Sequence, residues 1–168
     1  IYEEWDLAIA DASKAIELDP NYASSYVQRG NALQRLGRDH AALIDLDTAI
    51  HLDPADVQAY RVRGATRIMM ADWAGAVADY DEAIHLDKSF AGFYIERSWA
   101  HYNLGQLERA IEDAKEAIRI DANYAADHST LALYYLSVGE THDPHQAVVH
   151  ARRACELDGR KDWQFLLR

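Results

Sequence analysis

The chain is short of cysteine, proline and glycine: its 168 residues hold one, three and eight of them. The lone Cys155 cannot form an intramolecular disulfide, and it fits a reducing, cytoplasmic setting better than an oxidising one. With so few breakers, long stretches run uninterrupted, which favours helices and makes each breaker that does occur informative. No apolar run reaches the ~18 residues of a membrane span, so no membrane partner is expected. Basic residues are scarce too. Seventeen lysines and arginines stand against 28 acidic residues, a formal net charge of -11, with no local basic stripe. Such a surface repels a phosphate backbone and argues against nucleic-acid binding. The Gly-rich phosphate loops are absent, and no serine or cysteine is set beside a histidine and a carboxylate in a recognisable pattern. Neither an enzyme nor a cofactor site is expected.

What is present is a period. Asp19, Asp53, Asp87 and Asp121 stand 34 residues apart, and Asp158 follows after 37. Just before them come Leu18, Leu52, Leu86, Ile120 and Leu157. Three residues before those stand Ala15, Ala49, Ala83, Ala117 and Ala154, and seven further back Ala8, Ala42, Ala76, Ala110 and Ala147. Each copy splits in two. In its first half Tyr26, Tyr60 and Tyr94 lead to Arg29-Gly30, Arg63-Gly64 and Arg97-Ser98. Gly37, Gly105 and Gly139 then fall where a helix needs a C-terminal stop, with Ala71 at the equivalent place in another copy. The second half has apolar residues at helical spacing, as in Ala42, Leu46, Ala49 and Ile50, and in two copies it closes on Leu-Asp-Pro, where proline halts the helix. Alanine recurs because two helices approach to ~8 Å only where the crossing residues are small.

A 34-residue helix-turn-helix unit with an early aromatic, small crossing residues, a mid-unit glycine and a closing proline resembles the tetratricopeptide repeat. The Arg-Gly pairs and the Ile-x-Leu-Asp-Pro endings resemble bacterial-type repeats. The resemblance implies an all-α fold, a right-handed superhelical solenoid of antiparallel helix pairs in a single array. Its divisions would be a partial repeat over 1–22, full repeats over 23–56, 57–90, 91–124 and 125–161, and the start of a further helix over 162–168. By this reckoning the chain opens on a second helix without its first, the segment Ile1 to Asp6 having neither the basic start nor the apolar stretch of a secretion signal. Trp5, Ile9 and Ile16 would then be short of cover, because solenoid ends normally carry polar caps. A segment of a longer array or larger protein is expected, or weak homo-oligomers formed through the uncapped terminal helices.

Two departures from the family's pattern stand out. Its usual leucine is replaced by Arg29, Arg63 and Arg97, while Asp45, Asp79 and Asp113 recur in the second helices. In the next copy both change together, to Leu131 and His150. The concerted change pairs each arginine with the aspartate of its own repeat, a bidentate contact that would fix helix register. The last full copy also has three extra residues before Ala147, lengthening its turn over Glu140–His145. His142, Asp143 and His145 lie there without the rigid i, i+4 helical pair of a metal site, and none is expected.

The resemblance implies that the first helices line a concave wall. The wall residues most suited to a ligand are Asn31, Arg35, Arg61, Ile68, Ile95, Trp99, Tyr102, Leu133 and Leu136, polar early and aromatic late. The expected partner is a protein or peptide, its hydrophobic side chains on Trp99 and Tyr102 and its polar or acidic end near Arg61 and Asn31. The carboxylate clamp by which some relatives hold chaperone tails is not expected: Asn31 fits it, but Val27, Val62, Gly92 and Glu96 do not. Two other roles fit the same pattern, a non-catalytic regulatory or assembly segment of a larger enzyme and a self-associating structural array.

Overall fold

The computed structural model describes residues 2–137 and 142–159. Among them are nine α-helices: α1 (Tyr2–Leu18), α2 (Ala23–Arg35), α3 (Asp39–Leu52), α4 (Val57–Met69), α5 (Trp73–Leu86), α6 (Ala91–Asn103), α7 (Leu107–Ile120), α8 (Ala125–Leu136) and α9 (Pro144–Leu157). Gly139, residues 140 and 141 of the lengthened turn and the helix expected over 162–168 lie outside the described residues. The helices fall into two compact units, Ile1–Asp87 and Lys88–Arg168.

The breakers act as local chemistry requires. The stops at Gly37 and Gly105 are left-handed, with φ of 70° and 73°, and Ala71 takes the same turn at φ 59° despite its Cβ. The recurring aspartates close the second helices in a different way. The side chains of Asp19, Asp53 and Asp121 each accept a 3.0 Å hydrogen bond from the backbone N–H two residues on, turning the chain into the next helix. Starts are capped where a carboxylate is available: Asp56 accepts from the Gln58 N–H, Asp72 from Gly75 and Asp143 from Gln146. Pro144 opens α9 in its first turn, so His145 is helical and no longer part of the connecting turn.

In the first unit α1 packs on α2, α2 on α3, α3 on α4 and α4 on α5, with α2 also against α4. Its core is Val27, Leu33, Ala42, Leu46, Ala49, Ala59 and Val62, with Ile9, Tyr26 and Ile50 against it. Gly30 sits at the α2–α3 crossing, where an added Cβ would stand 2.9 Å from Leu46. In the second unit α6 packs on α7, α7 on α8 and α8 on α9, around Ala110, Ile111, Ala114, Leu131, Tyr134, Tyr135 and Ala147. Cys155 is buried with the alanines of α9.

Candidate functional site

Between the first and second helix of a repeat the arginines and aspartates meet. Arg29 donates to both oxygens of Asp45 at 2.7 Å, Arg97 to both of Asp113 at 2.8 and 2.6 Å, and Arg63 to Asp79 at 2.6 to 3.2 Å. Asp79 is only 1% exposed and takes a second guanidinium, Arg67, at 2.8 Å. Each paired arginine also lies 5.6–5.8 Å from the centre of its own repeat's tyrosine ring: Arg29 over Tyr26, Arg63 over Tyr60, Arg97 over Tyr94. The three residue types are thus one device, a cation held between a carboxylate and an aromatic face. The hydrogen bond to Asp45 holds the Arg29 proton more firmly than water would.

The copy that lacks this device replaces all three members. His128 stands for the tyrosine, Leu131 for the arginine and His150 for the aspartate. The two imidazoles approach Nδ1 to Nδ1 at 3.0 Å and stack, and the Tyr135 ring also stacks on His150, with centroids 6.0 Å apart. Burial pushes the pKa of both histidines down, so each stays neutral more readily than in water.

In the first unit the wall is polar. Asn31 and Arg61 border one cleft of about 320 Å³ together with Ser24, Gln28 and Gln58, the capping Asp56, and Val27 and Val62. Arg61 donates through Nε to the Gln58 side chain at 2.7 Å. Arg35 is exposed but lies over the Trp5 ring, 5.9 Å from its centre, and Ile68 is half-buried. The structure therefore brings Asn31 and Arg61 to one cleft and puts neither Arg35 nor Ile68 there.

In the second unit the wall is apolar. Trp99 stacks on Tyr102 (centroids 5.9 Å apart), and Tyr102 stacks on Tyr134 of α8 at 5.1 Å. Tyr134 is buried and shares a 3.0 Å hydrogen bond with Ser98, while burial pushes its phenol pKa up to about 12. The ladder rises from core to solvent: Trp99 at its outer end is 39% exposed, and Leu133 of α8 is 46% exposed. Tyr102, Leu133 and Leu136 line a cleft of about 700 Å³ with Asn103, Leu107 and Ser137. Ile95 packs against the same core as Tyr102 and Leu136 but borders a different cleft.

Two models of the tetratricopeptide repeat match the sequence, over residues 12–44 and 91–124. The chain carries tetratricopeptide repeats. No curated protein matches it significantly. Solved structures do. MamA is 23% identical over 94% of this chain and 90% of its own, with a TM-score of 0.85. MamA 41-end from Desulfovibrio magneticus RS-1 is 22% identical over 94% and 88%, with a TM-score of 0.85. YrrB, described as a TPR protein with an unusual peptide-binding site, is 18% identical over 98% and 82%, with a TM-score of 0.80. At these identities the likeness establishes the fold, an all-α tetratricopeptide solenoid. Tetratricopeptide arrays build extended surfaces for meeting other proteins. Among the described residues no helix is long and apolar enough to cross a membrane, and no three histidine, cysteine or acidic side chains are grouped to hold a metal ion.

Three features of this array escape a reading by period: the contact of His128 with His150, Tyr134 beneath Tyr102, and a carboxylate at Asp127. Each occurs in one copy alone. Aligning the third residue of every first helix (Ser25, Ala59, Phe93, Asp127) is the signal that exposes the last of them.

Proposed function

We propose that the chain is a non-catalytic interaction scaffold that holds an apolar segment of a partner protein, a peptide or one face of a helix, against α6 and α8. The observation that carries this reading is the exposed end of the aromatic ladder: exposed Leu133 lines a cleft with Tyr102 and Leu136, and exposed Trp99 stacks on Tyr102. Large apolar side chains left exposed together favour a protein contact. An indole already stacked on a second ring loses little freedom when a ligand covers it, which is why such aromatics dominate binding energy. The peptide-binding site described for YrrB belongs to that protein, and it supplies a precedent for a peptide ligand on the same fold. In the first unit, the Asn31–Arg61 cleft would take polar or acidic groups of a partner, Arg61 keeping further N–H donors beyond the one bound to Gln58.

The test is a paired substitution that leaves the core alone. Wild-type chain and a Trp99→Ala, Leu133→Ala variant are used to capture partners from a lysate, and the partner recovered is titrated against both by calorimetry. Loss of two anchors of this kind should weaken binding by about thirtyfold or more. Equal affinity would reject α6 and α8 as the docking face.

A further inference from the structure

The third residue of each first helix is sealed from solvent, and three copies fill that place with Ser25, Ala59 and Phe93. The fourth fills it with Asp127, 2% exposed. No described residue donates a hydrogen bond to its carboxylate or forms an ion pair with it. Burial, with the nearby charge of Asp121, pushes its pKa up to about 6. Its oxygens keep an opening to the cleft beside it, but a carboxylate largely withdrawn from water without a partner still destabilises a fold, and the other copies hold serine, alanine or phenylalanine there. Its destabilising cost is explained if the carboxylate meets a ligand.

Asp127 borders a cleft of about 690 Å³ formed by α6, α8 and the segments that lead into them. Phe90 and Tyr124, both exposed, stand at its rim, Ile95 lines its side, and Glu96 and Asp121 add negative charge. None of the described residues lining it is cationic. Phe90 leans against the backbone at Gly92, where an added Cβ would stand 2.5 Å from the ring. The cleft therefore has aromatic flanks, an acidic end and an unmatched charge.

We propose that this cleft receives one basic side chain of the partner segment, arginine above lysine, with its aliphatic stem between Phe90 and Tyr124 and its charged head on the Asp127 carboxylate. Arginine fits best because its planar fork reaches both carboxylate oxygens and its face lies well on aromatic rings. The chain's charge of -11 would draw a basic segment in from a distance, while Asp127 would fix where the cation lands. The proposal rests on reading α6 and α8 as the docking face and names the ligand chemistry there.

A random dodecapeptide display library, selected at pH 7.5 on the wild-type chain and on Asp127→Asn, tests it. The variant removes an unpaired buried charge and keeps the residue's shape, so it should fold, which circular dichroism checks. The expected result is enrichment of arginine and lysine on the wild type that disappears on the variant. A selected peptide should lose about tenfold in affinity on the wild type when its arginine becomes citrulline, and under about twofold on Asp127→Asn. Equal basic enrichment on both chains would overturn the proposal, leaving only long-range attraction to an acidic protein. Selection of apolar peptides without a basic residue would overturn the subsite and leave the Trp99–Leu133 face standing. Failure to select any peptide on either chain would overturn both.

Discussion

The two units solve the same packing problem with different chemistry. In the first, both full copies lock their helices with a tyrosine, an arginine and a buried aspartate, and the wall they present is polar. In the second, one copy keeps that lock at Arg97–Asp113 and the other exchanges it for two stacked imidazoles. The copy that gives up the lock also carries Asp127 and supplies Tyr134 and Leu133 to the apolar wall. Apart from Ala71, these departures from the repeat therefore gather in one copy. A bidentate ion pair fixes register without adding much net stability, so exchanging it loses little and frees helix faces for other uses. Where local rules of a repeat are broken together, function is the usual reason.

The comparison can be broken at several points. Asp79→Ala should have the largest effect, because it removes the buried counter-charge that Arg63 and Arg67 share and leaves them only the exposed Asp47 and Asp72. A loss of about 3–5 kcal/mol is expected in urea unfolding, against about 1–2 kcal/mol for His150→Ala, where no charge is stranded. Similar losses for the two would erase the distinction between the units. Asp127→Asn should act in the opposite direction and stabilise the second unit by about 1–3 kcal/mol at pH 7, read as slower hydrogen exchange in α8.

Acid sharpens the contrast further. His128 and His150 have pKa values depressed in the fold, so the native state resists protonation and the second unit loses stability as pH falls below about 6.5. Lys115 facing His150 and Arg153 facing His128 work in the same sense. Asp127 is opposed in sign. Its raised pKa means that the fold takes up a proton near pH 6 more readily than the unfolded chain, a gain that offsets the histidines. Removing it should therefore leave a steeper acid loss: between pH 7 and 5, Asp127→Asn should lose about half of its stability advantage over the wild type, measured by unfolding at each pH. A constant advantage would contradict the assignment. The smallest effect is expected in the first unit, where Ala71 holds a left-handed turn that glycine makes without strain. Ala71→Gly should raise stability by about 1 kcal/mol.

Features fixed by repetition were legible in the sequence. The alanines recur because every crossing has the same geometry, and the joint change to Leu131 and His150 picked out residues that the structure puts in contact in the other copies. Ala71 stood where its neighbours have glycine, and it takes their backbone angle. The recurring aspartates marked the helix ends, though the reason, a side chain bonded to the backbone two residues on, needed coordinates. Features that occur once had no period to betray them. Tyr134 and His128 read as ordinary helix residues until their neighbours on α6 and α9 were known, and the wall residues Ile95 and Tyr102, eligible alike by position, border different clefts. Arg35 illustrates the same limit: its place in the repeat suits a ligand, but its guanidinium lies over Trp5.

Hydrogen exchange of the chain with and without its recovered partner would test the docking face most directly. Slowed exchange is predicted along α6 and α8, residues 91–103 and 125–136, with α7 and α9 unchanged. Protection confined to α7 and α9 would contradict it.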